Sequence, residues 1–287
     1  MVTQGKIRNE GRRIVCLTAS LTEIIYALGL ADRLAGVTDT CDYPQGAETK
    51  PDVGCWFEPD VAKLLALEPD LVLGSAAAHG RLRPDLEAKG IQVMIADPCT
   101  VDEALAVMAG LGERLGAAEQ AQACVHALQK RLQSLDAKIK KIPLSNRLTT
   151  ARVLDLRNDR LIVAGPLSFQ YDVIARGGGL NVSGQLHEAY PKVSFARFCR
   201  WDPEMIFFCG SDRAFIPRLA NDPNWRRLQA VQTSRLYQFD CGLTCRTGPR
   251  IVDMAELLFE TLYNVDRDEQ TVREYIKTKE REDRRLG

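Results

Sequence analysis

The chain has 287 residues, 45% of them apolar, and its 38 Lys and Arg offset 38 Asp and Glu to a net charge of zero. That length suits one large domain or two lobes with a substantial buried core. Zero net charge supplies no basic excess to attract nucleic acid or an anionic membrane, and no segment reaches the roughly 18 apolar residues of a membrane span.

In chain order, "MVTQGKIRNEGRR" is polar and has no apolar h-region or small-residue cleavage site. The chain as it stands therefore reads as cytoplasmic; one trimmed at a processing site, and hence periplasmic or extracytoplasmic, would look the same. "RIVCLTA" reads as a buried strand. "SLTEIIYALGL" reads as a helix, with Ser20 and Glu23 in capping-box spacing and Gly29 as its stop. "RLAGVT" is a second strand, and Pro59 suits the first turn of a helix over "DVAKLLAL". "PDLVLG", "RPDLEAKG" and "IQVMIAD" follow as strand, helix and strand, and Thr100 with Glu103 opens the helix "VDEALAVMAGLGERLG". Strands separated by helices predict parallel pairing, with helices on both faces.

From Ala117 to Ile142 the pattern is helical without Gly or Pro. At 1.5 Å per residue such a helix spans about 39 Å, enough to bridge two lobes. Strands are then predicted at "ARVLDL", "LIVAG", "PEMIFFCG" and "RLYQF", and helices at "FQYDVIARGGG", "FARFCRW" and "RIVDMAELLFETLYNV". "GGGLN" lacks a phosphate-loop lysine and reads as a cap. The segments "LEPDLVLGS" and "WDPEMIFFCG" both place acid-Pro-acid before an apolar strand, a repeat that supports two similar lobes.

These stretches carry a resemblance. "IVCLTASLTEIIYALGLADRLAGVTDTCDYP" and "PDVGCWFEPDVAKLLALEPDLVL" resemble the first lobe of substrate-binding proteins with a helical backbone, and "AGPLSFQYDVIARGGGLNV", "DPNWRRLQAVQTSRLYQFD" and "GPRIVDMAELLFETL" resemble the second. This family serves ABC importers of vitamin B12, siderophores and haem; "CDYP", Trp56 and "GPRI" are most similar to its cobalamin-binding branch. The resemblance implies an α/β fold of two Rossmann-like lobes with mostly parallel sheets, joined by one long helix, with a ligand cleft between them. The expected divisions are a first lobe over 1–116, the connecting helix over 117–142, a second lobe over 143–265, and a charged, solvated extension over 266–287. It also implies a protein that binds and delivers, and catalyses nothing.

Nine cysteines are an odd number, so at least one cannot pair within the chain. Cys16, Cys124 and Cys199 fall inside predicted strands or helices and read as packing. Cys41, Cys55, Cys99, Cys209, Cys241 and Cys245 fall at strand ends or in loops, expected to face the cleft, three from each lobe. Converging thiolates are soft ligands, suited to an iron-sulfur cluster, zinc or copper(I). Three readings stay open for them: metal ligation, one Cys241–Cys245 disulfide, or packing.

On the resemblance, Trp56 would stack on a macrocycle, and Tyr43, Phe169 and Tyr190 would line the cleft. His79 is a candidate axial or metal ligand, and Arg246 and Arg250 are candidates to neutralise an anionic ligand. The leading expectation is a non-catalytic binding protein that holds a metal-containing ligand through several of the six thiols. The alternative is a cobalamin or other metal-chelate receptor of an ABC importer permease; a second alternative is a metallocluster redox enzyme on the same scaffold.

Overall fold

A computed structural model describes residues 11–157 and 159–263. The expected extension over 266–287 lies outside these residues. The chain divides into two compact units: unit 1 is Met1–Pro98, Asp102–Gln129 and Arg246–Pro249, and unit 2 is Cys99–Val101, Lys130–Cys245 and Arg250–Gly287.

Unit 1 is built from β1 (Ile14–Cys16), α1 (Ala19–Ala27), β2 (Leu34–Val37), α2 (Val61–Ala66), β3 (Leu71–Gly74), α3 (Ala76–His79), α4 (Arg83–Ala88), β4 (Gln92–Ile95) and most of α5 (Val101–Leu115). Its four strands pair in the order β2-β1-β3-β4, all parallel. β1 and β3 are buried along their whole length, which is why their sequences run apolar without alternation. Val15, Leu17, Val53, Leu64, Val72, Leu86, Ile91 and Val93 form the core beneath them. Asp60 caps α2 by accepting from the N–H groups of Ala62 and Lys63, so Pro59 stands just before the cap rather than in the first turn.

The capping box expected at Ser20 and Glu23 does not form. Thr18 is the N-cap, and its side chain makes no capping bond. Ser20 Oγ accepts instead from the Thr247 N–H at 2.9 Å, and Glu23 is buried and paired with an arginine far along the chain.

Helix α6 (Ala118–Ile139) contributes residues to both units. Arg147 closes its end, donating to the carbonyls of Ile139 and Ile142.

Unit 2 contains β5 (Thr149–Arg157), β6 (Arg160–Val163), α7 (Phe169–Arg176), β7 (Leu180–Asn181), β8 (Lys192–Ser194), α8 (Phe195–Trp201), β9 (Met205–Cys209), α9 (Phe215–Asn221), α10 (Gln229–Gln232), β10 (Leu236–Phe239), α11 (Cys241–Thr244) and α12 (Ile251–Tyr263). The sheet order is β10-β9-β5-β6-β8, with β7 also on β5. β10, β9, β5 and β7 run parallel, while β6 runs antiparallel to both of its neighbours, β5 and β8. The mixed sheet follows from chain length: Arg157 and Arg160 are too close in sequence for a crossover, and only a hairpin can join their strands. Phe198, Phe208 and Trp225 anchor the core of this sheet.

The acid-Pro-acid repeat has one structural meaning in both units. Glu68 and Asp202 each follow a helix in left-handed backbone, at φ 47° and 42°. The second acid then fastens the first residues of the neighbouring strand. Asp70 accepts from the N–H groups of Gly11, Arg12 and Arg13 at 3.0, 3.0 and 3.2 Å, ahead of β1. Glu204 accepts from the N–H and hydroxyl of Thr149 at 2.8 and 3.0 Å, at the head of β5.

A carboxylate serving backbone donors contributes about 1.5–3 kcal/mol. Asp70→Ala and Glu204→Ala should each lower unfolding stability by about that amount in urea titrations. A loss below about 0.5 kcal/mol, the range of an indifferent surface change, would remove the clamp from the account.

Candidate functional site

In unit 1 the candidate residues follow the carboxyl ends of parallel strands, where open α/β sheets bind ligands. The segment after β2 carries Cys41, Tyr43, Cys55, Trp56 and Phe57. Trp56 and Phe57 are 41% and 57% exposed and meet edge to face at 5.7 Å. The backbone beneath them is fixed. The Trp56 N–H donates to Asp39 at 3.0 Å, and the Trp56 carbonyl meets His79 Nε2 at 2.5 Å. The Tyr43–Pro44 peptide is cis.

His79 braces this loop through both ring nitrogens. It is 1% exposed; Nδ1 accepts from the Ser75 N–H at 3.0 Å, which leaves Nε2 to donate to Trp56. Burial pushes its pKa down, with the Trp56 hydrogen bond opposing.

Arg246 is also already engaged. Its guanidinium meets Glu23 at 3.0 Å, Asp42 at 2.6 Å and the Thr40 carbonyl at 3.0 Å, all within unit 1. The Glu23 side chain is 1% exposed and that of Asp42 65%, so the Glu23 pair carries the energetic weight. Arg250 donates to the Gly242 carbonyl at 3.1 Å in unit 2.

The six thiols expected to converge divide otherwise. Cys41 is buried inside unit 1, where Thr22 Oγ1 donates to its sulfur at 3.2 Å and Thr38 lies at 3.5 Å. It packs near Cys16, whose thiol is pushed up first by burial and then by Cys41. Cys55 is exposed on unit 1. Cys99, Cys209, Cys241 and Cys245 belong to unit 2. Among the described residues, no group of three or more His, Cys, Asp or Glu is arranged to hold a metal ion. The Cys209 and Cys245 sulfurs stand 3.4 Å apart, inside the roughly 3.8 Å that two zinc–sulfur bonds at a tetrahedral angle would span. The thiols address one another instead of a common centre.

Unit 2 assembles its candidates around the carboxyl end of its parallel strands. Cys209 ends β9, opposite Phe239 on β10, and α11 begins two residues later with Cys241. Cys245 follows on the same turn, its N–H on the Cys241 carbonyl at 3.0 Å. On the other side of β9, Arg152 pairs in register with Phe207. Arg152 is 1% exposed, directs one nitrogen to Cys245 Sγ at 3.7 Å and lies 5.6 Å from the Phe207 ring centre. Sequence patterning misses this residue, because a lone arginine in an apolar strand carries no spacing signal. Tyr190 stands nearby, half-exposed, and donates to Gln170 at 3.1 Å. Partial burial raises its phenol pKa; Gln170 and Arg152 lower it, and the Cys245 and Cys99 sulfurs raise it. Gly165 permits this arrangement, since a Cβ there would lie 2.2 Å from the Glu188 carbonyl. Phe169 is half-buried at the start of α7, behind the Ser168 cap.

Residues 14–241 match the periplasmic binding protein family. An uncharacterised ABC transporter substrate-binding lipoprotein, YvrC of Bacillus subtilis, is 27% identical over 261 residues, 90% of this chain and 82% of its own. The crystal structure of the periplasmic vitamin B12 binding protein BtuF of Vibrio cholerae superposes with a TM-score of 0.75 at 26% identity, covering 90% of this chain and 98% of that one. A periplasmic heme binding protein from Pseudomonas aeruginosa gives 0.78 at 26% identity, covering 88% and 93%.

Removing Arg246 leaves the buried Glu23 carboxylate without its guanidinium. Arg246→Ala should lower stability by about 3 kcal/mol or more in urea unfolding, and Asp42→Ala by less than about 1 kcal/mol. His79 predicts a pH dependence. Its folded pKa lies below the unfolded value, so its contribution is complete above about pH 6.5 and is lost as pH falls through the folded value. Melting curves between pH 8 and pH 5 should show this decline, and His79→Gln should flatten it.

Proposed function

The chain belongs to the periplasmic binding protein family, and on that premise we propose that it captures a metal-bearing macrocycle of the corrin or porphyrin type and delivers it to the permease of an ABC importer. It is a binding protein and not an enzyme, as its family is. The observation that carries the ligand class is the exposed Trp56–Phe57 pair at the carboxyl end of the unit 1 sheet. Large aromatic faces left in water on a braced loop suit a flat, partly apolar ligand. Asp39 and His79 hold the Trp56 backbone before any ligand arrives, which reduces the entropy lost on binding. Tyr43 is proposed as a further ligand contact of unit 1; for unit 2, taken by itself, Phe169, Tyr190 and Arg250 are the proposed ligand-contacting residues.

This adopts the alternative reading of the sequence. No observation supports an iron-sulfur cluster or other thiolate-bound metal, because Cys41 is enclosed and the unit 2 thiols contact each other. We place the protein outside the cytoplasmic membrane, against the cytoplasmic expectation, because its relatives are named as a lipoprotein and as periplasmic proteins. No helix among the described residues is long and apolar enough to cross a membrane.

Titrating the purified chain with cyanocobalamin, and separately with haemin, tests the proposal. One of the two should give a saturable shift of the ligand absorption band with quenching of tryptophan fluorescence. Trp56→Ala should weaken that binding about tenfold or more, equivalent to about 1.4 kcal/mol. Absence of saturable binding by both ligands, or unchanged affinity in Trp56→Ala, would overturn it.

A further inference from the structure

We infer that Cys209 and Cys245 are a thiol–disulfide redox pair, with Arg152 as the buried cation beside their sulfurs. The inference stands on unit 2 alone and does not depend on the ligand proposed above.

Geometry comes first. Cys245 Sγ donates to Cys209 Sγ at 3.4 Å, and a disulfide bond is about 2.05 Å, so closure asks only for small side-chain rotation. The two cysteines come from adjacent parallel structure, the end of β9 and the turn after β10. Cys245 is exposed and Cys209 partly so, which admits a small oxidant. The second observation is Arg152. It is almost fully buried, meets no carboxylate among the described residues, and its Nε has no hydrogen-bond partner. One of its nitrogens donates to the Val153 carbonyl and another points at Cys245 Sγ, so an anionic sulfur in this cluster would supply its counter-charge. The groups that act on Cys209 agree with this. Hydrogen bonds from Cys241 and then Cys245, followed by Arg152, draw its pKa far down against burial, while Cys241 is driven up as the thiol that keeps its proton. Tyr190 lies close enough to feel both the Cys245 sulfur and Arg152.

The chemistry is exchange with a small-molecule disulfide. The Cys209 thiolate attacks one sulfur of the oxidant, forms a mixed disulfide and releases one thiolate, which takes up a proton. Cys245, losing its proton to solvent, attacks Cys209 Sγ and expels the second thiol. Two protein thiols are oxidised and one oxidant disulfide is reduced to two thiols. Oxidation removes the thiolate and leaves Arg152 as an uncompensated cation beside Tyr190.

The test is incubation of the full chain with oxidised glutathione, followed by alkylation and non-reducing peptide mapping. A Cys209–Cys245 crosslink is expected, retained in Cys241→Ala and in Cys199→Ser, and replaced by a glutathione adduct on Cys209 in Cys245→Ser. Arg152→Lys, which keeps the charge but loses the planar fork, should slow crosslinking about tenfold in a rate measurement. Dominance of a Cys241–Cys245 or Cys209–Cys241 crosslink, or full alkylation of all three thiols after oxidant, would overturn the pair. An unchanged rate in Arg152→Lys would overturn the role given to Arg152.

Discussion

A carboxylate placed directly after a proline fixes where the central strand of each sheet begins. In unit 1 Asp70 receives the backbone donors ahead of β1, and in unit 2 Glu204 receives those of Thr149 at the head of β5. β1 pairs with both β2 and β3, and β5 with β6, β7 and β9, so an error of register in either strand would spread through its sheet. A one-residue slip would also reverse which side chains enter the core. The proline imposes a second demand, because the residue before it must leave the helix at once. Both units satisfy that demand with an acidic residue in left-handed backbone, a conformation more often left to glycine. Asp202 recovers part of the strain by accepting from the Gln229 N–H at 2.8 Å.

The two buried arginines show how differently a charge can be used. Arg246 is tied to Glu23 and Asp42, and the structure spends it on joining residues 246–249 to the first unit. Its worth is architectural, since Thr247 and Ser20 bond beside it. Among the described residues Arg152 has no such carboxylate. It lies in a strand, against a phenylalanine ring and a sulfur atom, where a neutral apolar residue would pack with less strain. The interior charge that meets no carboxylate among the described residues faces a sulfur in unit 2, whereas the carboxylate-paired one belongs to the scaffold.

Family membership explains why the exposed features sit where they do. Loops after the carboxyl ends of parallel strands are free to vary while the sheets hold them in place. Trp56 and Phe57 occupy one such loop, where they stay exposed on a fixed backbone. His79 links two of these loops by spending both ring nitrogens on backbone, which exchanges a possible metal ligand for rigidity. The same economy applies to the thiols, which hydrogen-bond inside unit 2 or pack inside unit 1 rather than reach a shared ion.

The sequence by itself determined the alternation of strands and helices, the long helix, the acid-Pro-acid repeat and the family. These are local or collinear signals: apolar runs at "IVC" and "LVLG", an unbroken helical stretch to Ile139, and motifs in fixed order. It also marked Trp56 and the cysteine-bearing strand ends, because loops after parallel strands are readable from order alone. Partners far apart in sequence were not readable. Ser20 and Glu23 look like a capping box, yet Thr247 and Arg246 claim them from more than 220 residues away. Cys41 looks like a loop thiol and is enclosed by Thr22 and Thr38. Only the tertiary structure decided that Cys209, Cys241 and Cys245 meet beside Arg152, because strand pairing brings together atoms that no spacing rule connects.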